Sequence, residues 1–137
     1  MNIGKIAFHK RTGPEGALSF LEAERDLPFP VKRIYYIYNV PADGRRGFHA
    51  HKELQQCLVC IHGSCKILLD DGKERETVEL SDPNEGLYIG PVTWREMYDF
   101  SPDAVLLVLA SEYYDVEDYI RDYDVFLKTV RGKEALK

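Results

Sequence analysis

The feature that most constrains this fold is a train of short apolar runs, each closed by a turn signal. Residues 32–40 (KRIYYIYNV) are rich in β-branched and aromatic side chains and read as a strand, which Pro41-Ala-Asp-Gly44 turns. Residues 54–61 form a nearly continuous apolar run, and His62-Gly-Ser64 turns the chain back into 65–69. Asp70-Asp-Gly72 has the D-G signature of a hairpin and leads into an alternating segment at 74–80. After a loop at 81–85, further strands are expected at 86–89, 92–98 and 104–109, separated by Gly90-Pro91 and Ser101-Pro-Asp103. Many short strands at this spacing imply an all-β sandwich or barrel. The 137 residues suit one domain, 1–137, able to bury roughly two thirds of its unfolded surface.

The C-terminus changes period. Over residues 115–130, Val116, Tyr119, Ile120, Tyr123 and Phe126/Leu127 recur at helical spacing, with acids early and Lys128 and Arg131 late. The pattern predicts an amphipathic helix packed on the outside of the β-structure or partly on a second subunit. Net charge is -5, which argues against a general nucleic-acid binder. No N-terminal apolar h-region or apolar run of membrane-spanning length occurs, so no membrane association and a cytoplasmic location are expected. Cys57-Leu-Val-Cys60 has the spacing of a redox or zinc pair. On a strand, however, positions three apart face opposite sides, so Cys57, Cys60 and Cys65 are expected as buried small hydrophobes in a reducing compartment.

His49-Ala-His51 carries the chemistry. Two His separated by one residue on a strand point the same way. Gln56 follows after four residues and Gly63 stands seven positions beyond it. This stretch resembles the first motif of the cupin superfamily, with Gln56 where the metal-binding Glu usually stands. A second motif is echoed in degraded form: Gly86, Pro91 and Glu96 fall near its Gly, Pro and His, and Thr93 replaces its second Gly. Two imidazoles and a carboxylate could hold Fe(II), Zn or Mn. Here the carboxylate would have to be Glu53 or Glu96, and the third His is missing, so a pocket without metal or other cofactor is expected. Arg33, Tyr35 and Asn39 alternate along the preceding strand as a polar stripe facing the same cavity.

RIYYIYNV, RRGFHAHKELQQCLVCIHGSCKILLDDG, GLYIGPVTWREMYDF and VLASEYYDVEDYIRDYD together resemble the sugar-nucleotide 3,4-ketoisomerases of the cupin superfamily. The resemblance implies a cupin jelly-roll with a C-terminal amphipathic helix, and a homodimer with exchanged N-terminal strands. It implies conversion of dTDP-4-keto-6-deoxyglucose to its 3-keto isomer, in deoxyaminosugar biosynthesis for a lipopolysaccharide or S-layer glycan. The reaction removes the C3 proton and returns one to C4 through an enediol. His suits the base because its ordinary pKa lies near neutrality. His49 is expected as that base, with His51 and Tyr35 polarising or protonating the oxygens at C3 and C4. Arg33, Arg46 and Lys52 are candidates for the pyrophosphate. Gln56 is a hydrogen-bonding group for sugar or phosphate, and Arg95 lines the sugar site from the far side. The sequence leaves the C4 configuration open between galacto and gluco, and with it the roles of Glu15 and Arg95. Two other readings compete: a metal-dependent cupin enzyme and a non-catalytic sugar-binding cupin.

Overall fold

A computed structural model describes residues 1–135. The turn signals fold the apolar runs into two five-stranded antiparallel sheets. The first is ordered β1 (Ile3–Ala7), β9 (Glu85–Ile89), β6 (Gln56–His62), β11 (Val105–Ala110), β4 (Arg33–Tyr38). The second is ordered β12 (Tyr119–Ile120), β5 (Arg46–His51), β10 (Trp94–Tyr98), β7 (Cys65–Asp70), β8 (Arg75–Leu80). A separate hairpin pairs β2 (His9–Gly13) with β3 (Gly16–Phe20). This is the expected jelly-roll, with each predicted strand within a residue or two of the observed one.

Three apolar clusters hold it together. Leu58, Cys60, Cys65, Ile67, Leu69 and Leu106 lie in the cluster between the sheets. Cys57 and Val59 face the other way, against Phe8, Leu27 and Phe29. Both faces of β6 are therefore covered, the physical reason for its unbroken apolar run. It also places Cys57 and Cys60 in different clusters, as strand geometry demands, and all three cysteines are free and buried.

The C-terminal segment departs from expectation. The helix, α1, spans Tyr123–Ala135 and does not begin at Asp115. Residues Val116–Asp118 form a 3-10 turn capped by Asp115, and Tyr119–Ile120 is the edge strand β12 beside His51 and Ala50. Val116 is exposed, so it is no part of an apolar stripe. The stripe that buries is Ile120, Phe126 and Val130, packed with Ala50 and Trp94 on the outer face of the second sheet. Strand pairing won over helical periodicity because it satisfies the open edge of β5.

Candidate active site

Residues 46–51 (RGFHAH) enter the second sheet through a bulge. Arg95 pairs with His49 and Glu96 with Gly47, which leaves Phe48 as the extra residue. Gly47 has φ 92°, and a Cβ there would meet the Arg95 carbonyl at 2.9 Å, so only glycine fits the kink. Beyond it the alternation places His49 and His51 on the inner face, while Ala50 lies under α1. The two imidazoles meet edge to face at 4.9 Å between centroids. The ring of Tyr119 lies 5.1 Å from His49 and 4.4 Å from His51. The guanidinium of Arg121 covers that ring at 4.3 Å.

Each histidine has one nitrogen committed. His49 Nδ1–H donates to the Gly47 carbonyl at 3.0 Å. His51 Nδ1–H donates to Asp118 Oδ2 at 3.1 Å, because a carboxylate can only accept. Both rings therefore carry a lone pair on Nε2, and that of His51 is buried without a protein partner. Burial, then the Arg95 guanidinium, pushes the His49 pKa down to about 4. Burial, Arg95 and the neighbouring His49 likewise hold His51 as neutral imidazole.

Arg95 is fully buried on the same inner face. Its guanidinium donates to Gln56 Oε1 and to the Thr93 carbonyl. Loss of hydration lowers its pKa to about 10, still above neutrality, so it stays a cation. Gln56 Nε2 donates in turn to the Tyr35 hydroxyl at 3.0 Å. That bond occupies the phenol as an acceptor and leaves its proton free to donate. Burial raises the Tyr35 pKa, which keeps the proton in place at neutral pH.

Two cavities flank this cluster and share Arg33 and Tyr119. One of about 310 Å3 is lined by Tyr35, Arg46, His49 and Arg121 as well. The other, about 510 Å3, is lined by His51, Glu53, Tyr114 and Asp118 as well. Arg33 Nε is buried without a partner, and its guanidinium lies 5.1 Å from the Tyr35 ring and 5.6 Å from that of Tyr114. A cation with a buried, unsatisfied donor at the edge of two cavities is what an anionic ligand would complete.

Of the residues singled out from sequence, His49, His51, Tyr35, Arg33, Gln56 and Arg95 converge, and Arg46 lies at the mouth. Lys52 sits in the exposed turn after β5 and lines neither cavity. Asn39 is exposed beyond the end of β4, not part of the inward stripe. Glu96 faces away, accepting from Arg45 Nε and Trp94 Nε1 at 3.1 Å each. Glu15 is at the exposed tip of the β2–β3 hairpin. Asp118, Tyr119 and Arg121 were missed. Their signal was the string EYYDVEDYIR, hidden by reading it as helix, where its polar residues become a solvated face.

Two neutral imidazoles, His51 buried and His49 half-buried, make stability depend on pH. Unfolded histidine takes a proton near pH 6.5, whereas folded His49 resists until about pH 4. Between those values the unfolded state binds more protons, so stability falls as pH falls. His49 alone should cost about 2 kcal/mol between pH 7 and pH 5. Urea unfolding at the two pH values tests this; equal stability would show that the imidazoles are not buried neutral.

The inward histidine pair on a double antiparallel sheet defines a cupin-type jelly-roll protein. The chain belongs to the family described as FdtA: WxcM-like, C-terminal, which matches residues 1–131. It is 50% identical over 125 residues to the TDP-4-oxo-6-deoxy-alpha-D-glucose-3,4-oxoisomerase of Aneurinibacillus thermoaerophilus, across 91% of this chain and 90% of the relative. It is 48% identical to the sugar 3,4-ketoisomerase QdtA of Thermoanaerobacterium thermosaccharolyticum, solved with TDP, at TM-score 0.95 over 96% of each chain. A histidine-to-asparagine variant of QdtA, solved with TDP-4-keto-6-deoxyglucose, matches at TM-score 0.94 and 48% identity, over 96% of this chain and 95% of that one.

Proposed function

We infer that this protein is a sugar-nucleotide 3,4-ketoisomerase that moves the keto group of TDP-4-keto-6-deoxyglucose from C4 to C3. The observation that carries the reading is the pairing of two neutral inward imidazoles with a protonated phenol beside a buried guanidinium, in a chain 50% identical to a named oxoisomerase. Proton abstraction next to a ketone needs a base that is unprotonated at neutral pH, and the Nε2 lone pair of His49 meets that need. The enediolate needs a donor, for which the Tyr35 hydroxyl stands ready, and the sugar hydroxyl needs an acceptor, which the Nε2 lone pair of His51 supplies. Arg33 and Arg46, joined by Arg121, bind the pyrophosphate at the mouth. Lys52 adds long-range attraction from its exposed turn. Gln56 and Arg95 form the floor, holding Tyr35 in place and presenting positive charge to the sugar oxygens.

The donor set does not suit a cupin metal. Gln56 brings no charge, and its amide is already committed to Tyr35 and Arg95. The cationic Arg95 beside both imidazoles would repel a dication. Metal-free acid/base chemistry is therefore the favoured reading.

A 3-keto sugar nucleotide is a substrate for amination at C3, which fits deoxyaminosugar biosynthesis for a lipopolysaccharide or S-layer glycan. A nucleotide-linked substrate and three reduced buried thiols fit the cytoplasm. No helix among the described residues is long and apolar enough to cross a membrane.

The protein acts as a homodimer exchanging N-terminal strands. The β2–β3 hairpin is almost wholly exposed, and an isolated hairpin is marginal in water. The outer face of the first sheet leaves Ile34 and Tyr36 each 60% exposed, beside an apolar depression of about 590 Å3 lined by Phe20, Ile61 and Leu107 among others. Light scattering at micromolar concentration should give twice the 15.8 kDa chain mass; a monomer would refute the dimer.

Incubation with TDP-4-keto-6-deoxyglucose in deuterated buffer tests the reaction. NMR should show the 3-keto isomer with deuterium at C4, and the coupling constants then report the C4 configuration. Neither exchange at C3 nor a 3-keto product would refute the assignment.

A further inference from the structure

We propose that Ile37 and Met97 form the seat for the C6 methyl group of the sugar and select 6-deoxy sugars over their 6-hydroxy counterparts. The proposal rests on the ketoisomerase reading and deepens it by naming the residues that decide the sugar class.

The chemistry of the substrate requires a wall for C6 close to His49. In a 4-keto-6-deoxyhexose the reacting carbons are C3 and C4. C5 is bonded to C4 and carries C6, so the methyl carbon stands two bonds from the ketone carbon. A ring held with C3 and C4 at the imidazole must therefore rest C6 on a wall of the same cavity. The other substituents of the ring are oxygens that donate or accept hydrogen bonds: the hydroxyls at C2 and C3, the ketone, and the anomeric oxygen that bears the pyrophosphate. The methyl has nothing to offer a polar wall and gains from leaving water only against an apolar one.

The cavity of about 310 Å3 beside His49 has one such wall. Arginine, tyrosine and histidine side chains make most of its lining, and its two aliphatic side chains are Ile37 and Met97. Period-two alternation brings them there from opposite sheets. Ile37 stands two residues beyond Tyr35 on β4, and Met97 two beyond Arg95 on β10, so each shares the inner face with a residue of the site. Ile37 pairs with Leu106 of β11, and Met97 with Ile67 of β7. Met97, 2% exposed, belongs to the apolar cluster between the sheets, and Ile37, half-buried, packs against it. At these two residues the hydrophobic core surfaces into a polar site. A thioether and a branched alkyl chain give a methyl group dispersion contacts. They give a hydroxyl almost nothing, because thioether sulfur is a weak acceptor and isoleucine has no polar side-chain atom. A hydroxyl on C6 would leave water without a replacement hydrogen bond. In the cavity of about 510 Å3, by contrast, Leu54 stands among the carboxylates of Glu53, Glu112, Asp115 and Asp118, a lining that suits hydroxyls.

Binding of two stable nucleotide sugars tests the seat without turnover. TDP-6-deoxyglucose and TDP-glucose carry no ketone and differ only in the hydroxyl at C6. By titration calorimetry the wild-type protein should bind the 6-deoxy compound about 10–100-fold more tightly, the discrimination an apolar pocket achieves against an added hydroxyl. Met97→Gln keeps the length of the side chain and adds an amide. Ile37→Thr puts a hydroxyl in place of an ethyl group at a half-buried position, so it keeps the test open should Met97→Gln not fold. Each should bring the ratio of affinities toward one, chiefly by tighter binding of TDP-glucose. Met97→Leu, apolar and of similar volume, should keep the wild-type ratio. Lost packing alone would weaken both compounds alike and leave the ratio where it was. A wild-type ratio near one, or a ratio unchanged in either folded polar variant, would overturn the proposal. TDP itself separates the two levels of inference. A wild-type protein that binds neither TDP nor either nucleotide sugar would sink the ketoisomerase reading. One that binds TDP and both sugars equally would leave that reading standing and remove the methyl seat.

Discussion

Replacing His49 by asparagine should lower kcat about 10²–10⁴-fold, the usual contribution of a general base. Asparagine keeps a polar side chain of similar size but has no basic lone pair, so the loss is chemical and not steric. Affinity for TDP should hardly change, because the proposed nucleotide contacts are the arginines at the mouth and not the imidazole. The decisive observable is exchange of the C3 hydrogen with deuterated solvent, which the variant should abolish. Exchange at the wild-type rate in His49→Asn would mean that another group is the base. Tyr35 would then lead, although burial keeps its phenol protonated at neutral pH.

His51→Asn should lower kcat about 10²–10³-fold, within the range of a lost group that accepts and returns a proton at the reacting oxygens. Its signature differs from that of His49→Asn. With the base intact, the C3 proton can still leave and return, so exchange should outlast isomerisation. The two neutral rings touch, yet they hold different partners, a backbone carbonyl for His49 and the Asp118 carboxylate for His51. That asymmetry is the structural reason to expect two phenotypes from two residues of one motif. If both variants abolish exchange equally, the division of labour between them is wrong.

Period-two alternation was enough to place His49 and His51 on one face, because a strand leaves no freedom in where every second side chain points. The same rule separated Cys57 from Cys60, while the resemblance to the cupin motif made the missing acid at Gln56 visible. It did not reach Arg95. Inside and outside cannot be told apart for one cation in a strand whose register against its neighbours is unknown. Pairing with His49 and Leu69 decides the face of Arg95, and the bond to Gln56 decides what it does there. Glu96, one residue on, was a metal candidate by spacing and is turned outward by the same register.

Local pattern, then, determined the jelly-roll class, the histidine pair and the family, since apolar periodicity, turn chemistry and motif strings are all written along the chain. Tertiary structure decided the fate of residues 115–122. Their apolar spacing fits a helix, but the open edge of β5 offers hydrogen bonds that a lone helical turn cannot match, so the segment becomes a 3-10 turn and the strand β12. Asp118 thereby reaches His51 across 67 residues of chain, and Tyr119 comes to lie on both imidazoles. Contacts made between segments so far apart depend on how sheets pair and close. No local propensity encodes them, and for that reason the partners of the histidines became legible only in the folded protein.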